Sequence, residues 1–197
     1  TLALSFDATS LHYRLLQVEI RSLKSLNHMS GDVTTLTGGA RIVVDPAALG
    51  GVETLQDFRA AVVKDAGGPV NFSYSESDGV VFPEDFDSLN EVTTYFNFEK
   101  AFNFFATLGL THADIAAFPV YYFPDFQRPN AQGTIVREKD NALFFPALQA
   151  FLVLPFDKLQ DVPLSMNLGV IAHEYTHAVT NAKLYQAQPL PWPFSHS

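Results

Sequence analysis

The chain has 197 residues, 47% of them hydrophobic and 13% aromatic, enough apolar surface for a packed core in one large domain or two small ones. Twelve Lys and Arg stand against 21 Asp and Glu, a formal net charge of −9, which argues against a nucleic-acid surface or a polybasic membrane anchor and would repel acidic substrates. There is no Cys, which excludes disulfides and thiolate metal sites, so any metal is held by nitrogen and oxygen.

The sequence opens at Thr1 without a charged n-region followed by an apolar h-region, the pattern of a mature, processed product or a trimmed piece. No apolar run approaches the roughly 20 residues that span a bilayer, and a soluble protein is expected.

Residues 1–69 read as a β-rich segment. His12 to Leu23 has the texture of a long strand or strand pair, and Ala40 to Asp45 is a β-branched run that ends at Pro46. Thr54 with Asp57 predicts a capping box opening a helix that runs to Gly67. Val70 to Tyr74 alternates and Gly79 to Phe82 returns after Ser77-Asp78, a hairpin pattern. His12 and His28 are lone histidines and are read as ordinary surface or core residues.

Ser88-Leu89-Asn90-Glu91 reads as a second capping box, introducing a long helix through Phe105 and Leu108 to Gly109. Its aromatics cover more than one face, so burial on most sides is expected. Asp78, Glu84, Asp85 and Asp87 just before it offer the oxygen ligands that Ca²⁺ takes, but without EF-hand spacing, and a solvated acidic loop is the competing reading. Phe118 to Phe123 reads as a strand, Asp125 to Gln132 as a polar loop, and Gly133 to Glu138, Ala142 to Phe145 and Ala150 to Pro155 as three short strands. Strands, a helix, further strands and a last helix indicate an α+β fold.

That last helix carries the chemistry. Ser165 or Asn167 can cap it, Leu168, Ile171, Ala172, Tyr175, Val179 and Ala182 form an apolar stripe, and Pro189 lies beyond its end. Within it stands His173-Glu174-Tyr175-Thr176-His177, in which residues four apart share a face. Two imidazoles can then meet one Zn²⁺, leaving room for a further protein ligand and for water, with Glu174 as the base that takes the water's proton and returns it to a leaving amine. The competing reading is a core helix with two incidental histidines.

The segment His173 to Asn181 resembles the thermolysin and fungalysin families of gluzincin metalloproteases, being similar to their His-Glu-Leu-Thr-His and His-Glu-Tyr-Thr-His helices. Asn141-Ala142-Leu143-Phe144 is similar to the Asn-Ala-Phe-Trp edge strand of the thermolysin family. The likeness runs over roughly residues 70–185 and departs at Gly169, where these families carry an acidic residue. The metzincin pattern is excluded, because Thr180 and Lys183 occupy its Gly and His positions. The resemblance implies that residues 70–197 are the N-terminal catalytic subdomain of a secreted, zymogen-type zinc endopeptidase. By that likeness His173 and His177 bind the metal, Glu174 is the general base and then acid, and Asn141 and Ala142 bind the substrate backbone through side-chain amide and main chain.

In these families a glutamate about 20 residues past the second histidine is the third zinc ligand, and that position is Ser197. No Asp or Glu follows Glu174, Pro189, Pro191 and Pro193 suit an extended loop, and His196 is the one nearby candidate. A proteolytic nick near Ser197 and a second, non-covalently held chain bearing the glutamate are expected. The alternative is a non-catalytic relative, a binding or inhibitory module that keeps the helix and lacks the rest of the site.

Overall fold

In the computed structural model, residues 1–7, 9, 10, 12–111, 118–157 and 162–185 are described, the last two by their backbone alone. The chain begins with a hairpin of β1 (Leu2–Asp7) and β2 (His12–Gln17), then β3 (Leu23–Ser25), β4 (Ser30–Gly31), β5 (Leu36–Gly38) and β6 (Arg41–Val44). After a 3₁₀ turn come α1 (Leu55–Ala60), β7 (Val62–Asp65), β8 (Gly68–Pro69), β9 (Tyr74–Ser77) and β10 (Val80–Pro83). The long α2 (Phe86–Thr107) leads to β11 (Val120–Tyr122), β12 (Asp125–Pro129), β13 (Ile135–Arg137), β14 (Ala142–Phe145) and β15 (Ala150–Val153), and α3 (Leu168–Thr180) follows. The fold is mixed α+β, and among the described residues no helix is long and apolar enough to cross a membrane.

The central layer is a sheet in the order β14-β15-β11-β5-β8, parallel between β15, β11 and β5 and antiparallel at both ends. Strands before and after residue 69 therefore share it. Alternation along its strands divides the core in two. Phe144, Phe151, Val153, Val120 and Tyr122 face α2 and α3. Phe145, Leu152, Leu154 and Tyr121 face a second sheet, β13-β12-β6-β7, and meet its Ile42, Val44 and Phe126.

α2 is buried on most sides, as its aromatics predict, and several of its buried polar residues are hydrogen-bonding posts for the elements around it. Thr93 Oγ1 accepts the Leu4 N–H of β1 at 3.0 Å, Ser88 Oγ accepts Ser73 N–H at 3.1 Å, and Glu99 accepts Arg21 N–H at 3.2 Å and Ser22 N–H at 2.7 Å. Each would cost stability if buried unpaired, and each is satisfied by tying a distant segment to the helix.

Several boundaries differ from the sequence reading. The helix capped by Thr54 and Asp57 stops at Ala60, because Val62 and Val63 pair with Val44 and Val43 of β6 instead of continuing it. α2 starts three residues earlier than its Ser88 cap implied: Asp85 is the N-cap and accepts Ser88 N–H at 2.7 Å. Asp125 to Pro129 is a strand rather than a loop, held between β6 and β13. The hairpin centres on Tyr74–Pro83 and turns at Asp78-Gly79, both with positive φ, as a type I′ turn requires.

Candidate metal centre

α3 is built with two sides. Asn167 caps it, its Oδ1 accepting Gly169 N–H at 2.9 Å and Val170 N–H at 3.4 Å. Ile171, Tyr175 and Ala178 are buried against α2 and the central sheet. Tyr175 lies between Phe105 and Phe151, with ring centroids 5.5 and 5.4 Å away at interplanar angles of 17° and 20°. Burial pushes its hydroxyl up from the usual tyrosine range, so it stays neutral. Burying a ring of this size against a sheet contributes about 1.5–3 kcal/mol, which fixes the rotation of the helix about its axis.

With that rotation set, the other side of α3 turns outward. His173 and His177 are exposed, and their Nε2 atoms converge to 3.1 Å with the rings 4.7 Å apart and nearly perpendicular. Glu174 is the inner member, its side chain 13% exposed against 69% for His173. Its Oε2 accepts the main-chain N–H of Phe144 at 2.8 Å, and its Oε1 lies 3.9 Å from His173 Nε2. The three side chains form the one group, among the described residues, with three potential metal-binding atoms within 4.8 Å of one another.

The bond to Phe144 brings β14 to the centre. β14 is an end strand of the central sheet. The carbonyl of Asn141 accepts Leu154 N–H at 2.9 Å and so faces the sheet. By antiparallel alternation the main-chain groups of Ala142 and Phe144 face the open edge. Asn141 is exposed at the start of this strand, about 10 Å along it from Phe144, and Ala142 is buried. Four of the five residues singled out from the sequence therefore lie on α3 and β14, which touch, and Asn141 immediately precedes β14. The Glu174 to Phe144 contact was not foreseen, since a main-chain partner leaves no residue signature.

α3 is also anchored at its entry. The Ser165 hydroxyl donates to Asn90 Oδ1 at 2.7 Å, Asn97 Nδ2 donates to the Ser165 carbonyl at 3.0 Å, and Asn90 Nδ2 donates to the Tyr122 hydroxyl at 2.7 Å. Ser165 is thus not the cap that it resembled in the sequence, but a buried anchor two residues before it.

The acidic residues before α2 are dispersed among other tasks: Asp85 caps the helix, and Glu84 accepts the Ser73 hydroxyl at 2.7 Å. Pro189, Pro191, Pro193, His196 and Ser197 lie outside the described residues. No family model, no curated protein and no solved structure matches the chain.

Proposed function

We propose that the protein is a zinc-dependent endopeptidase whose centre is His173, Glu174 and His177, in a thermolysin-like catalytic subdomain. The observation that carries this reading is the convergence of two imidazole nitrogens beside a carboxylate pinned to an open strand edge. The fit to zinc is close: two nitrogens about 2.0–2.1 Å from a tetrahedral ion lie about 3.3–3.4 Å apart, and here they are 3.1 Å apart. The donors are all nitrogen or oxygen, as a cysteine-free chain requires.

In this reading His173 and His177 hold the metal through Nε2. When bound, the ion polarises a peptide carbonyl and acidifies water. Glu174 supplies the base. Its Oε2 is engaged by Phe144 N–H, which leaves Oε1, on the His173 side, to take a proton from water and deliver it to the departing amine. The open edge of β14 suits an extended peptide, because Ala142 presents main-chain donor and acceptor to it and Asn141 an exposed side-chain amide at its start. An enzyme acting on polypeptides fits these features.

The third ligand belongs to the same proposal. Among the described residues no further His, Asp or Glu joins the group. We assign the third ligand to a glutamate outside these residues, on a second chain, a fragment or a continuation of this one, with His196 the alternative. The same observation favours a second reading, a non-catalytic module in which the two histidines bond only to each other. Hydrolysis of an unstructured polypeptide by the protein isolated from its natural host separates the two. Activity that is lost on chelation and restored by Zn²⁺ supports the peptidase, while turnover indifferent to chelation contradicts it.

A further inference from the structure

We propose that Asn90 and Asn97 are positioning residues of the His173–Glu174–His177 centre, acting through Ser165; this rests on reading that centre as a metal site. Apolar packing of Ile171, Tyr175 and Ala178 sets how α3 is rotated, but it is non-directional and resists sliding along α2 only weakly. Directional bonds are needed to fix the axial position. Ser165 supplies them at the helix entry with both of its polar groups: its hydroxyl donates to Asn90 at 2.7 Å and its carbonyl accepts from Asn97 at 3.0 Å.

Asn90 and Asn97 are seven residues apart, two turns on one face of α2, so they clamp Ser165 from both sides along the helix axis. All three are buried. Asn90 is itself fixed by Tyr122 of the central sheet at 2.7 Å, the sheet whose end strand holds Glu174 through Phe144. One closed path therefore links both ends of the site: sheet to Asn90, Asn90 to Ser165, Ser165 through α3 to Glu174, and Glu174 back to the sheet. The first turn of α3 contains no acidic side chain that could do this instead.

The test compares Asn97→Ala and Ser165→Ala with Thr93→Val, which removes a hydrogen bond of a buried α2 threonine whose partner is β1 and not α3. Three properties are measured on the full chain at a temperature where each variant keeps its native circular dichroism: Co²⁺ affinity, the visible spectrum of the Co²⁺ complex, and amide exchange at Phe144. Ser165→Ala, which leaves the carbonyl clamp in place, is the milder change should Asn97→Ala not fold. The expected result is Co²⁺ binding weakened about tenfold or more, an altered ligand-field band and faster Phe144 exchange in the two clamp variants. Thr93→Val should match the wild type in all three despite its lost stability. Wild-type Co²⁺ binding and Phe144 protection in the clamp variants, or equal losses in Thr93→Val, would overturn the positioning role alone. Failure of the wild type to bind Co²⁺ would overturn the metal reading and this proposal with it.

Discussion

Phe144 and Glu174, thirty residues apart, are joined by a 2.8 Å hydrogen bond from the main chain of an end strand to the inner carboxylate of α3. The contact fixes one carboxylate oxygen and leaves the other 3.9 Å from His173 Nε2, so in the proposed peptidase the two oxygens of one side chain have different tasks. Because the donor is a main-chain N–H, only proline at position 144, which lacks that group, removes it directly.

Replacing Glu174 with Gln separates those tasks. The amide oxygen can still accept from Phe144, so fold and metal binding persist, but the base is gone. Peptide turnover is expected to fall by about 10²–10⁴, with zinc content unchanged by elemental analysis. Turnover at the wild-type rate would remove Glu174 from the mechanism.

Exposure makes the histidines separable from the fold. His173→Ala or His177→Ala should change the stability of the metal-free protein by no more than about 0.5 kcal/mol, because both rings lie on the outward side of α3. Each should nonetheless weaken Zn²⁺ binding by more than about a hundredfold. Calorimetric titration and thermal unfolding of the same samples give both numbers.

Much of this site was legible because its signals are local. Residues 173 and 177 meet at helical spacing, Asn167 is a cap of the expected type, and the apolar run from Ala150 to Pro155 forms a strand over Ala150–Val153. What was not legible depends on partners distant in sequence. Asp125–Pro129 carries polar residues and a proline, and becomes a strand because β6 lies beside it in parallel. Asn90 and Asn97 look like helix-neutral polar residues until Ser165, 75 and 68 positions away, is seen to need them. Asp85 outcompetes Ser88 as cap because Ser88 is occupied with Ser73.

Asn141 offers a test of the strand edge. Its side chain is exposed, so Asn141→Ala should leave stability and zinc content unaltered. Loss of a substrate hydrogen bond should lower kcat/KM for peptides by the equivalent of about 1–3 kcal/mol. Unchanged kinetics would place the substrate elsewhere.

Glu91 gives a pH signature independent of the metal. It is 7% exposed, its Oε2 has no hydrogen-bond partner, and burial together with Asp85 and Asp87 pushes its carboxyl up to about 7. The unfolded chain therefore ionises this group first, and its contribution to stability is lost as pH rises from about 4.5 toward 7. Glu91→Gln, which cannot ionise, should match the wild type near pH 4 and be more stable by about 1–3 kcal/mol at pH 8. Denaturant unfolding at the two pH values checks this, and an equal difference at both would contradict the assignment.

The central claim is that His173 and His177 are two ligands of one ion. It is tested most directly by following imidazole ¹⁵N resonances of the full chain during Zn²⁺ titration. Nε2 of His173 and of His177 should shift together and saturate at one equivalent, while the lone and exposed His12 and His28 stay in place. If His173 and His177 do not respond, or respond no more than His12 and His28 do, the metal centre is contradicted.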